Sequence, residues 1–107
     1  MKRAETIRNQ DIKRVLIGTP KDHKHLRICI GLKNGTILVF QEATIANISR
    51  AYITLKTHPQ IRTQELETKT IDEGQLKKGY ARHQLIETSK TPEEIEEELE
   101  TLLEASI

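Results

Sequence analysis

Four histidines, a single cysteine and a cluster of glutamates are the residues with which this chain of 107 could do chemistry. His23 and His25 flank Lys24 in the segment TPKDHKH. Alternate positions on an extended segment point the same way, so the two imidazoles could share a metal, with His58 or His83 as a third ligand. Lys21, Lys24 and Arg27 crowd the same stretch and would repel a cation. The histidines therefore read as exposed loop residues, and neither a metal nor any other cofactor is expected. Cys29 with a histidine would make a nucleophile pair. It lies in the apolar run RICIGL, where desolvation disfavours a thiolate, so it reads as a packed thiol. Paired-carboxylate hydrolysis lacks an isolated acid on an apolar face, because the glutamates gather at 93–100. The chain has no G-x-x-x-x-G-K-S/T, no G-x-G-x-x-G and no G-x-S-x-G. The expected class is a binding module, not an enzyme.

Charge divides the chain in two. Residues 1–90 hold all 17 Lys and Arg against 9 Asp and Glu, a balance of +8; residues 91–107 hold 7 Glu and no basic residue. Lys21, Lys24, Arg27, Arg50, Lys56, Arg62 and Arg82 are the basic side chains available to a phosphate backbone, with Lys77 and Lys78 beside them. The chain's aromatic residues are Phe40, Tyr52 and Tyr80. Phe40 and Tyr52 read as internal, which leaves little for stacking nucleic-acid bases. Protein contact or self-association is the expected mode of action, with nucleic-acid binding through the basic body as the alternative. The acidic tail is expected to lie near the body and neutralise it.

The elements that must position these groups are organised around residues 26–57. Leu26, Ile28, Ile30 and Leu32 alternate with Arg27, Cys29, Gly31 and Lys33, the period of a half-buried strand. Asn34-Gly35 follows and predicts a two-residue type I′ turn. The return strand is Thr36 to Gln41. That turn sets Leu32 opposite Ile37 and Ile30 opposite Val39, building an Ile-rich face. Cys29, Leu38 and Phe40 then share the other face, apolar enough to require a cover. A helix from about Ala43 to Thr57, capped by Thr44 and stopped by Pro59, carries Ile45, Ile48, Tyr52 and Leu55 in one stripe. It is expected to cover the Ile-rich face, burying Ile30, Val39, Ile48 and Tyr52 together.

Ile12 to Gly18 is a first strand ended by Thr19 and Pro20. Ile61 to Ile71 and Tyr80 to Glu87 are fourth and fifth strands around DEGQLKKG. Thr91-Pro92-Glu93-Glu94 opens a last helix, with Thr91 as cap and Pro92 at its first position. Ile95, Leu99, Leu102 and Leu103 form its stripe. Leu99 and Leu102, with Leu38 and Phe40, are the apolar interaction candidates: the helix covers the Cys29, Leu38 and Phe40 face, or a second chain does. The order β-β-β-α-β-β-α gives an α+β fold with a mostly antiparallel sheet of about five strands. Residues 1–90 form its body and 91–107 an acidic helix of the same domain.

Residues 37–61, ILVFQEATIANISRAYITLKTHPQI, resemble small uncharacterised α+β proteins of cyanobacteria, over the middle two-thirds of the chain. That resemblance implies a bacterial origin and assigns no activity or site. No apolar run approaches a membrane span, no secretory leader pattern opens the chain, and one cysteine forbids an internal disulfide. A cytoplasmic protein is expected.

Overall fold

A computed structural model describes residues 4–106. The elements follow the expected order: β1 (Ile12–Gly18), β2 (Arg27–Leu32), β3 (Ile37–Gln41), α1 (Glu42–Thr57), β4 (Leu66–Thr70), β5 (His83–Glu87) and α2 (Pro92–Ala105). All strand pairs are antiparallel, and the fold is α+β. The strands divide into a three-stranded sheet, β1-β2-β3, and a separate pair, β4-β5.

The turn between β2 and β3 differs from the two-residue expectation. Gly35 N donates to Leu32 O at 3.1 Å, and Leu32 N donates to Thr36 O at 2.8 Å. Asn34 Oδ1 accepts from Thr36 N at 2.9 Å. Gly35 takes φ +94°, whereas Asn34 keeps a negative φ. The loop is thus three residues, Lys33-Asn34-Gly35: a type I turn closed by a left-handed glycine. One extra loop residue slips the register by one. Ile30 pairs with Leu38, Cys29 with Val39 and Ile28 with Phe40. A one-residue slip exchanges the faces of a strand. Leu38 and Phe40 therefore lie with Ile28, Ile30 and Leu32, and the side chains beside Cys29 are Ile37 and Val39.

β1 joins on the other side of β2, setting Val15 against Ile30, Leu16 against Cys29 and Arg14 against Gly31. A bulge at Lys13 restores Ile12 to Leu32, and Lys33 N donates to Asp11 O at 2.9 Å. The Leu32 face thus holds Val15, Ile17, Ile28, Ile30, Leu38 and Phe40. The Cys29 face holds Leu16, Ile37 and Val39 with Arg14 and Arg27.

α1 does not fold back over the sheet. It starts at Glu42, immediately after the last residue of β3, with Gln41 as cap residue and no side-chain cap bond from Thr44. With no residues between strand and helix to reverse the chain, α1 runs off the end of the sheet. Ile48 and Tyr52 are exposed, as is Val39, so the expected cluster of Ile30, Val39, Ile48 and Tyr52 does not form. α1 instead approaches β5: Ala43, Asn47 and Arg50 line a cavity with Tyr80, Ala81, His83, Gln84 and Leu85. It ends as expected at Thr57, before Pro59.

α2 begins as its sequence requires, with Pro92 in the first turn and Thr91 Oγ1 accepting from Glu94 N at 3.2 Å. It packs on the approach to β4, where Ile95, Leu99 and Leu102 share a cavity with Gln64, Glu65 and Leu66. Thr63 Oγ1 donates to Pro92 O at 3.4 Å. At the far end Ser106 bridges Ala4 in parallel and its hydroxyl bonds Thr6.

Among the described residues only Leu32 and Ile95 are buried, each 8% exposed. The Cα radius of gyration is 16.4 Å, against about 13 Å for a compact domain of this length. The fold is complete in secondary structure and open in packing.

Candidate interaction surfaces

Three surfaces merit attention: the Cys29 face, the outer side of α2 and a polar cleft at the head of α1. The Cys29 face is the barest part of the sheet. Ile37 is 65%, Val39 61% and Leu16 52% exposed. Cys29, a free thiol, is half-buried in the central strand between them. Gly31 keeps the middle of the face low, and a Cβ there would meet Arg14 Cγ at 3.7 Å, so the Arg14 stem lies across it. With Arg14 at one end and Arg27 at the other, this face bears two positive charges and no carboxylate.

α2 does not cover it. Ile95, Leu99 and Leu102 turn toward residues 64–66, with the outer part of Leu99 still exposed and Leu103 70% exposed. Nor does α2 neutralise the basic body. Lys90 Nζ donates to Glu65 Oε2 at 3.1 Å and to Glu98 Oε2 at 3.4 Å, a local clasp at the start of the helix. The Glu65 hydrogen bond, with the charges of Glu65 and Glu98, holds the Lys90 pKa above 10.5 against some desolvation. Glu96, Glu97, Glu100 and Glu104 pair with no basic group among the described residues. The tail is attached to the body by its apolar side, so its charge points away.

The basic residues singled out in the sequence are scattered. Lys21 and Lys24 stand exposed in the β1–β2 loop, and Arg62 is exposed between α1 and β4. Lys56 lies over the Tyr52 ring, 5.9 Å from its centroid. Arg82 Nη2 sits 3.8 Å from Glu73 Oε1. Arg27 and Arg50 do come together, in a cleft of about 430 Å3 with His25, Gln41, Glu42 and Tyr80. Sequence spacing gives no hint of that pairing, since β2 and α1 meet only through the reversal at β3. Glu42 organises its rim: Oε1 accepts from Leu26 N at 3.0 Å, and Oε2 lies 3.7 Å from His25 Nδ1.

The histidines go separate ways. His58 Nδ1 lies 3.1 Å from Thr54 O at the end of α1, and His83 Nδ1 lies 3.2 Å from Thr70 Oγ1 across β4–β5. Among the described residues no three of His, Cys, Asp and Glu converge as metal ligands, and no helix is long and apolar enough to cross a membrane. Comparison with protein-family models, curated protein sequences and solved structures finds no match to this chain.

Proposed function

We propose that the protein is a non-enzymatic protein-interaction module whose apolar surfaces are completed by a partner chain. The observation that carries this reading is the accessible surface of 9261 Å2. A compact monomer of 12.3 kDa exposes about 6,100 Å2 by the usual scaling. The difference, about 3,000 Å2, is comparable to what one chain of an obligate dimer gives up at its interface, about 1,000–2,500 Å2. A transient contact of standard size hides only about 800 Å2 per partner. The exposed residues include Leu16, Ile17, Ile37, Val39, Ile48 and Tyr52, types that domains ordinarily bury. The unpaired thiol fits a reducing, cytoplasmic setting.

The test is the state of the full chain across a dilution series. Its mass comes from light scattering, its surface from binding of an apolar dye and its cooperativity from a denaturant melt. Association, or a dye-binding and weakly cooperative single chain, supports the module. A single chain that binds no dye and unfolds cooperatively at every concentration refutes it.

The second reading, nucleic-acid binding, is favoured by one feature: the cleft that brings Arg27 and Arg50 together. Two phosphate contacts give a salt slope of about −1.4 on a single strand. Retention on single-stranded RNA at low salt that survives replacement of both arginines by alanine would dismiss the cleft as its site.

A further inference from the structure

We propose that the missing partner is a second copy of this chain, and that the outer side of its α2 docks on the Cys29 face of the first. This rests on the interaction-module reading above and names its partner and its contact.

Three observations converge. The first is area: a deficit of about 3,000 Å2 per chain calls for a permanent partner, and permanent soluble assemblies are most often homo-oligomers. The second is charge. The +8 body and the −7 tail nearly cancel within one chain, yet apart from the Glu98 clasp the tail carboxylates Glu96, Glu97, Glu100 and Glu104 pair with no basic group among the described residues. The complement of each surface is therefore supplied by the same sequence. Face against face would bring two arginine-bearing surfaces of basic bodies together, whereas α2 against the face sets Glu96 and Glu100 near Arg14 and Arg27. The third is shape. α2, 14 residues long, spans about 21 Å at 1.5 Å per residue. Strands of five to seven residues run about 17–23 Å. A helix about 10 Å wide lies across strands spaced about 4.8 Å apart. Leu103, 70% exposed, and the outer edge of Leu99, 46% exposed and one turn away, meet Leu16, Ile37 and Val39 beside the Arg14 stem that lies across Gly31. α2 thus uses two flanks of one stripe: Ile95 and Leu102 for its own chain, Leu103 for the next, with Leu99 between them and touching both.

The experiment uses full-length chains, with helix content checked by circular dichroism. Val39→Glu spoils the face and Leu103→Lys spoils the helix. Both positions are exposed in the single chain, so each variant should retain its own fold. Wild type is expected at a multiple of 12.3 kDa, and each variant alone at the mass of one chain. Mixing the two variants should restore association, because each keeps the surface the other lacks. Two stacked sheets would not behave so: Leu103→Lys would stay at the wild-type mass and the mixture would not recover. Either result overturns the proposal, as does a Val39→Glu chain of undiminished mass. Should a variant lose its helix content, the wild type alone decides through salt. Its dissociation constant should rise on the order of tenfold as exposed charges are screened toward molar salt, and no change would overturn the contact. A wild type that is a dye-binding single chain points to a partner of different sequence, which ends this proposal and leaves the module reading intact. A dye-silent, cooperative single chain ends both.

Discussion

Ile95→Ala probes the most buried contact by which α2 is attached to its own body. Ile95 is 8% exposed and faces Gln64, Glu65 and Leu66. The substitution deletes three buried carbons, worth about 2.4 kcal/mol at about 0.8 kcal/mol each. A cavity term normally raises such a loss into the range of about 2–5 kcal/mol. Here the site already opens into a recess of about 260 Å3, so the neighbours have room to relax and little is added. The expected loss is about 2–3 kcal/mol, read from the guanidinium midpoint by far-ultraviolet circular dichroism at one fixed protein concentration. Amide protons of α2 should exchange faster in proportion. The control is Leu103→Ala on the same helix, which in chains diluted to single copies should change stability by no more than about 0.5 kcal/mol. If Ile95→Ala also costs under about 0.5 kcal/mol, α2 is not seated on residues 64–66 and its two-sided use is mistaken.

Two smaller predictions follow from local geometry. Gly35→Ala should cost about 1–2 kcal/mol, because φ +94° is strained for a side-chain-bearing residue. Asn34→Ala should cost no more than about 1 kcal/mol, losing only the acceptor for Thr36 N; equal losses at the two positions in thermal melts would restore the two-residue turn. Lys90, whose pKa is raised above 10.5 in the folded chain, contributes stability that is full below its unfolded pKa and lost as pH climbs through the folded one. The stability difference between wild type and Lys90→Met should therefore be flat near neutrality and shrink only on the alkaline side, above pH 10.5. A difference that grows there would contradict the clasp.

Much of the element order was legible because the signals that set it are local. Gly18-Thr19-Pro20 ends β1, Pro59 follows the end of α1, and Thr91-Pro92 opens α2. Asn34-Gly35 was ambiguous in a way that matters. Both a two-residue and a three-residue turn use Gly35 at positive φ, and only the conformation of Asn34 separates them, so a small local preference decides which side chains share a face. The path of α1 was not legible at all. Its Ile48 and Tyr52 stripe says that the helix has an apolar side, but the absence of a turn between Gln41 and Glu42 determines where that side goes. β4 and β5 are shorter than the Thr-rich segments suggest because that alternation is weak; Gly79 takes φ +87° and Tyr80 and Ala81 lie outside the ladder, while Arg82 O still accepts from Ile71 N at 2.8 Å. The division into two sheets is not legible either: Ile61 to Gln64 stay outside any strand, and the pairing that begins at Glu65, whose O accepts from Thr88 N, is with β5 alone. Of the interaction candidates, Leu99 is 46% exposed and Leu102 is half-buried, and both line the recess at residues 64–66 and not the Cys29 face. Arg27 and Arg50 converge although 23 positions apart in the chain. The Cys29 face needs a cover in either register; the slip by one residue sets Ile37 and Val39 beside Cys29 in place of Leu38 and Phe40.

The most direct measurement is the solution mass of the full-length chain by light scattering, from high micromolar concentration down through dilution, with apolar-dye binding followed on the same samples. Incomplete burial within one chain predicts a multiple of 12.3 kDa that binds little dye, giving way on dilution to a single chain that binds it strongly. A single chain at every concentration, silent to the dye and unfolding cooperatively, would contradict it.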